Sequence, residues 1–348
     1  MKILYLDFLC PVGHLNLDIN QIKRLSNIGD VYVISQKGRY TELPSNVRNI
    51  EKKSIEIKQG KFSNRMSSLK TMLISAIESR RIDHDYIIVS SFETIMFALG
   101  RYLFNKKDRI ILFHHFNTDE LSSRVKAFFF RTYMNKVTHI VFSEFIRDHL
   151  INKFGVNPRH VFVLPHHMNK ISITKGNAKE YQCVGLSSSN DENIIESIIR
   201  KEEKENLLKQ MKIKVVLKSK EFEYDNGYLK VVKGYLEKEV YSDFIDNAQS
   251  IYMPFPNRFQ FRMSGTLIDA LTNNKIVYGS DIPVMRQYSI KYPSICKVVN
   301  DENAFIETLL SNNDNNKKLE DEFDKFKEDH SEERIELILA KILNDSES

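Results

Sequence analysis

The sequence predicts an α/β chain made of two parallel-sheet domains, and three observations carry that prediction. Short, continuously apolar runs such as Ile3–Phe8, Tyr86–Ser90 and Arg109–Phe113 alternate with stretches of helical spacing. Strands apolar along their whole length belong inside a sheet that is covered on both faces. The length, 348 residues, suits two domains at roughly 150 residues each. A stretch without periodicity, Pro165 to Glu180, separates two such series.

Taken in order, the first series opens with the strand Ile3–Phe8, a turn at Cys10–His14 and a helix over Leu17–Ile28. The strand Val31–Ser35 follows. Arg65–Ser79 has helical periodicity, with Met66, Leu69, Leu73 and Ile77 on one side. Then come the strand Tyr86–Ser90, a helix over Thr94–Phe104, the strand Arg109–Phe113 and a helix over Asp119–Asn135. The strand His139–Phe142, a helix over Glu144–Phe154 and the strand His160–Leu164 close the series. The second series holds the strand Gln182–Leu186, a charged helix over Asp191–Met211, and strands at Lys214–Leu217 and Leu229–Val232. It continues with a helix over Glu237–Asn247 and strands at Ser250–Pro254, Ile276–Gly279 and Ile295–Val299. A charged helical tail runs from Asn315. The expected domains are residues 1–167, a linker at 168–180, residues 181–325 and a helical tail at 326–348. Two such sheets are expected to face each other across a cleft, with ligands at the carboxyl ends of the strands.

Composition narrows the class. Hydrophobic content of 42% and charged content of 28% are those of a globular protein. The net charge is +5, from 51 basic and 46 acidic residues. That is not the footprint of a nucleic-acid binder. It suits anionic ligands or loose attachment to an anionic membrane surface. Cys10, Cys183 and Cys296 lack metal or CxxC spacing, which points to a reducing cytoplasm. MKILYLDFL reads as a first strand rather than a signal peptide. No stretch approaches transmembrane length, so any membrane contact is expected to be peripheral.

Tyr252 to Ser280 carries the most information. It reads as a buried strand, a polar loop, a small-residue turn at Ser264-Gly265-Thr266, an amphipathic helix and a second strand. Backbone N–H groups at such a turn, with the positive end of the helix dipole, seat a phosphate. Arg262 stands just before the turn and Asp269 just over one helical turn beyond it. A cation, an anion nest and a carboxylate in this order suit a nucleoside diphosphate and its ribose hydroxyls. The plain alternative is an ordinary strand–helix–strand crossover whose glycine allows close packing.

Several side chains outside this stretch draw attention. His114 and His115 end a strand. Gly13 and His14 follow the first strand, where glycine lets a backbone approach a ligand. Glu93 is an acceptor contact, a general base or a surface carboxylate. RVKAFFFR at Arg124–Arg131 is either a basic, aromatic membrane face or, more plainly, a core helix with solvated ends.

With those residues in view, the chain resembles the GT-B glycosyltransferases, most closely the retaining group that uses nucleotide sugars in bacterial polysaccharide synthesis. SEFIRDHLINKFGVNPRHVFVLPHH looks like the end of that group's N-terminal domain. GYLEKEVYSDFIDNAQSIYMPF and SGTLIDALTNNKIVYGSD are similar to its donor-binding segment. Two departures stand out. Where the family commonly has a Glu-x7-Glu pair, Phe261 holds the first position and Asp269 the second. The loop that often carries Arg and Lys toward the diphosphate reads SSSNDEN, leaving Lys218 on the next strand as the substitute.

The resemblance implies transfer of a sugar from a UDP- or GDP-linked donor to a glycan or lipid-linked acceptor in surface polysaccharide biosynthesis, with retention of configuration. The second domain would hold the nucleotide and the first the acceptor, in the cytoplasm or at the inner face of the cell membrane. His115, Arg262 and Lys218 are the expected catalytic residues. Ser264, Gly265, Thr266, Asp269 and Gly13 are expected to bind the donor, without a metal or a separate cofactor. Two alternatives stay open: an inactive GT-B-like binding or scaffold protein, and a nucleotide-sugar 2-epimerase.

Overall fold

The computed structural model describes residues 1–11, 14–56, 61–170, 179–310 and 316–345. They form two compact units. The first comprises Met1–His167, Phe261–Met263 and Glu332–Ser348, and the second Met168–Gln260 and Ser264–Ser331. The linker expected at 168–180 lies largely outside the described residues.

The first unit is built on a parallel sheet. Its strands are β1 (Lys2–Leu6), β2 (Asp30–Gln36), β3 (Arg48–Lys52), β4 (Tyr86–Val89), β5 (Arg109–Phe113), β6 (Thr138–Val141) and β7 (Val161–Val163). Their spatial order is β3-β2-β1-β4-β5-β6-β7. Successive side chains of β1 point to opposite faces, as a period of two requires. Leu4 and Leu6 join the core beneath α2 (Lys61–Ser79), α3 (Thr94–Gly100), α5 (Arg124–Arg131) and α6 (Glu144–Phe154). Ile3 and Tyr5 join the core beneath α1 (Leu15–Ile28) and α14 (Glu332–Asp345). The continuously apolar strands are thus buried from both sides.

The second unit repeats the plan. Its strands are β8 (Tyr181–Gly185), β9 (Val215–Ser219), β10 (Tyr224–Asp225), β11 (Leu229–Lys233), β12 (Ala248–Met253), β13 (Ile276–Gly279) and β14 (Cys296–Val298). The order is β10-β11-β9-β8-β12-β13-β14, parallel except for the β10–β11 pair. Its helices are α7 (Glu192–Glu205), α8 (Leu207–Gln210), α9 (Lys238–Asp246), α10 (Gly265–Thr272), α11 (Pro283–Lys291), α12 (Glu302–Leu310) and α13 (Asn316–Asp329).

Four local departures from the sequence reading have physical causes. The helix expected over Asp119–Asn135 is two: α4 (Asn117–Glu120), then α5 beginning after Ser123, whose extended backbone breaks the run. The helix expected over Asp191–Met211 breaks at Asn206, which adopts the left-handed conformation at φ 52°. Buried Glu202 then accepts from the amides of Leu208 and Lys209 and caps α8. The polar edge strand β3 and the helix α11 have no strong periodic signal. Most informative is α2. Of the apolar side that its periodicity marks, Met66, Leu73 and Ile77 are exposed. The buried side is small and hydroxylic instead: Ser67, Ser68, Thr71, Ser75, Ala76 and Ser79, with Met72. Those small residues let α2 press against α3, where a Cβ on Gly100 would lie 2.6 Å from Met72 Cε.

Candidate functional site

Open parallel sheets bind ligands beyond the carboxyl ends of the strands where the strand order reverses. In the second unit that point lies between β8 and β12. In the first it lies between β1 and β4.

At the β8–β12 point three loops are tied together. β8 ends at Gly185, where a Cβ would stand 3.0 Å from the Tyr252 carbonyl oxygen and 2.9 Å from Leu217 Cδ2, so only glycine lets the strands close to this spacing. The loop Ser187–Asn190 follows. Buried Asn190 donates from Nδ2 to the carbonyl of Gly185 at 2.8 Å and to that of Lys218 at 2.9 Å. It therefore clamps the ends of β8 and β9. The amide of Asp191 donates to the carbonyl of Pro254 at 2.6 Å, tying the same loop to the end of β12. Lys218, near the end of β9, is buried and donates from Nζ to Ser188 Oγ at 2.9 Å. The Tyr235 ring centroid lies 5.8 Å from the ammonium. Burial, then repulsion from Lys220, lowers the Lys218 pKa.

The turn Ser264-Gly265-Thr266 opens α10. Ser264 is its N-cap and accepts from the amide of Leu267 at 3.3 Å. Gly265 is exposed, and a Cβ placed there meets nothing within 4 Å. Packing thus does not require the glycine. The amides of Gly265 and Thr266 belong to the first turn, ahead of the intrahelical ladder. Asp269 lies a turn further on and faces inward. It accepts from Asn169 Nδ2 and Tyr241 OH, each at 3.3 Å, and burial raises its pKa to about 6.

In the first unit His114 and His115 part company. His114 turns into the core and its Nε2 lies 2.8 Å from His139 Nδ1. His139 Nε2 lies 2.7 Å from the Met134 carbonyl oxygen. His115 remains partly exposed at the end of β5. Its ring centroid lies 4.4 Å from that of His14 and 5.0 Å from that of Phe142. His166 packs on the other contact of Phe142, at 5.2 Å. Burial is the main cause that holds His14, His115 and His166 below the ordinary imidazole pKa, His166 at about 4. Buried Nε2 of His115 and Nδ1 of His14 have no hydrogen-bond partner among the described residues. Gly13 lies outside the described residues.

Arg262 is ion-paired: its Nε lies 3.0 Å from Asp119 Oδ2. Asp119 also accepts from the Phe261 amide, Thr118 donates to the Phe261 carbonyl, and the Phe261 ring stacks on His149 at 3.4 Å. Glu93 caps α3, accepting from the amides of Ile95 and Met96 at 2.9 Å, and pairs with Arg65 and Lys126. Its carboxylate is committed to structure. The structure therefore joins Lys218 to the Ser188 loop at the ends of β9 and β8, and the α10 turn follows β12 in the same unit. It gathers His115, His14 and His166 in the other.

A further cluster escaped the sequence reading. Asp7 follows β1, and its Oδ1 accepts from the amides of Leu9 and Cys10 and from the Ser91 hydroxyl. Asp18 of α1 accepts from Tyr5 OH at 2.9 Å and from the Ser90 hydroxyl. Arg39 Nη2 reaches Asp18 at 3.4 Å, Asp7 at 3.5 Å and the Pro11 carbonyl at 3.0 Å. This network fixes the loop after β1 at the β1–β4 point. The only hint in sequence is an aspartate directly after a buried strand. Burial and the charge of Asp7 push Asp18 up to about 8. Among the described residues no group of three or more His, Cys, Asp or Glu is arranged to hold a metal ion.

No known protein family and no curated protein matches the sequence. Solved structures do. TarM aligns with a TM-score of 0.57 at 17% identity, over 81% of this chain and 58% of its own, so this chain spans about three fifths of TarM. Anabaena Alr3699/HepE, solved in complex with UDP-glucose, aligns with a TM-score of 0.66 at 10% identity over 99% of both chains. WaaG, a glycosyltransferase involved in lipopolysaccharide biosynthesis, gives 0.63 at 11% identity over 99% of both. The likeness is one of fold: two α/β units with predominantly parallel sheets, the architecture of the GT-B glycosyltransferases.

Proposed function

We propose that the protein transfers a glycosyl group from a UDP- or GDP-linked sugar to a glycan or lipid-linked acceptor in bacterial surface polysaccharide biosynthesis. The observation that carries this reading is the buried Lys218 held on the Ser188 hydroxyl beside the strand-order reversal, in the unit whose α10 opens with a serine-capped turn. Charge grows on the departing diphosphate as the glycosidic bond breaks. A fixed cation and preorganised amides stabilise that charge without reorganising. Ser264 caps the helix, leaving the Gly265 and Thr266 amides for phosphate oxygens. His115 is neutral at pH 7 and suited to accept or donate one hydrogen bond to the sugar. Configuration is expected to be retained.

Fold alone does not choose among transfer, epimerisation and binding without turnover. A non-catalytic nucleotide-binding role draws support from Arg262 and Asp269, both engaged by protein partners. The test is a panel of UDP- and GDP-sugars incubated with purified protein, with released nucleotide and sugar epimers separated chromatographically. Slow release of UDP or GDP from one donor is expected. It should fall about 100-fold in Lys218→Met, the size seen when one transition-state donor is removed. Nucleotide binding without release from any donor supports the non-catalytic role, and a 2-epimer as the sole product supports the epimerase.

A further inference from the structure

The outward face of α2, α3 and α5 combines two properties that seldom coincide on a free surface. First, it is apolar. On α2, Met66, Leu73 and Ile77 stand at the i, i+7, i+11 spacing of one exposed stripe. Beside them Leu99 of α3 and Tyr102 just beyond it are exposed, and on α5 Val125 and Phe128 are 58% and 64% exposed. Among the described residues, seven of the thirteen exposed large hydrophobic side chains therefore sit on these three neighbouring segments. Second, it is basic. Residues 61–81, 94–107 and 122–136 hold twelve Lys and Arg and a single acid, Glu78, a formal charge of +11 where the whole chain carries +5. The rest of the chain is therefore at −6.

The two properties interleave. Lys70 shares the α2 stripe with Leu73 and Ile77, exposed Arg80 follows just past the end of α2, and Arg124 and Arg131 flank Phe128 at helical spacing. Arg65 and Lys126 are paired with Glu93, but Lys70, Lys106, Lys107 and Arg124 are exposed. The inner face of α2 is mostly serine, threonine and alanine, with Met72 as its one large fully buried apolar residue. Core packing therefore does not account for Met66, Leu73 and Ile77.

We propose that this face docks on an anionic lipid bilayer, with Leu73, Ile77, Tyr102 and Phe128 entering the interfacial layer and the surrounding cations meeting lipid phosphates. Apolar side chains and cations on one helical face are what an anionic interface selects. Charge complementarity sets the occupant: even with Glu93 and Glu120 paired to Arg65 and Lys126, a second copy would bring one basic surface against another. Among the described residues no helix is long and apolar enough to cross a membrane, so the contact is peripheral. The inference is independent of sugar transfer, because it concerns a surface and not the strand-end site.

The test is flotation of the full chain with phosphatidylcholine vesicles and with vesicles containing one third phosphatidylglycerol, at low and high salt. The protein should float with the anionic vesicles, lose most binding at about 0.5 M salt, and stay behind with the neutral ones. Phe128→Glu and Leu73→Glu each replace an exposed side chain, so circular dichroism should be unchanged while partitioning falls at least tenfold. Lys70→Gln should weaken it about fivefold, the factor for one basic side chain near such a surface. Equal flotation with neutral vesicles overturns the proposal. So does flotation with neither, or a dimer that Phe128→Glu dissociates without any vesicle binding.

Discussion

Replacing Asn190 by alanine removes a clamp whose strength follows from two bonds. The side-chain amide donates to the carbonyls of Gly185 and Lys218 at 2.8 and 2.9 Å in a buried setting. Each such bond contributes about 0.5–1.5 kcal/mol net, and a buried carbonyl stripped of its donor adds a desolvation penalty. Together the loss is about 2–3 kcal/mol, a large part of the roughly 5–15 kcal/mol that holds a domain folded. Asn190→Asp keeps the shape, loses both donors and sets a carboxylate against two carbonyls, so it should be at least as damaging. Urea unfolding followed by circular dichroism and by tyrosine fluorescence suits a chain without tryptophan. Two probes also show whether the units unfold together. Lys218 sits on the clamped strand end, so under the proposed function the stabilisation expected from added UDP should shrink as well. An alanine variant within about 0.5 kcal/mol of the parent would refute the clamp, since that is the range of ordinary surface substitutions.

Two further outcomes concern pH. His14, His114, His115, His139, His149 and His166 all have pKa values depressed mainly by burial, the last three to about 4. Between pH 6.5 and 4 the unfolded chain binds protons that the folded chain refuses, so stability should fall as pH falls through that window. Urea midpoints across pH 4–7 measure this, and a flat profile counts against neutral buried imidazoles. Asp18 acts in the opposite sense. Its folded pKa of about 8 lies above the unfolded value of 3.8, so the folded chain holds the extra proton. Its contribution is therefore lost as pH rises from about 4 to 8. Asp18→Asn should remove that loss and make stability less dependent on pH near 7–8.

Much of the fold was readable because burial on both faces writes itself into a strand as a continuous apolar run. Tyr86–Val89 and Ser250–Met253 needed nothing more. The α10 turn was equally legible, since a serine cap and a glycine at the first helical position are local signals. Other features depend on partners distant in the chain. The identity of the residue opposite Asp119, or the network joining Asp7, Asp18 and Arg39, has no periodicity to reveal it. Which face of α2 meets the core was not legible for a different reason. Periodicity locates an apolar stripe but does not say what covers it, and here hydroxyls such as those of Thr71 and Ser79, which donate to the Ser67 and Ala76 carbonyls at 2.9 Å, sit on the inner face.

Helix α14 fills one side of the first sheet with Ile335, Leu339, Ile342 and Leu343, all buried, and Tyr86 OH donates to the Leu343 carbonyl. Four such side chains stabilise by about 6–12 kcal/mol when taken from water. During synthesis the ribosome must therefore pass residue 343 before the sheet begun at residue 2 acquires its last layer. Until then a growing chain shows the apolar side of β1 and β4 to solvent, and a fragment stopped near residue 167 should be recovered as aggregate rather than as a free-standing module.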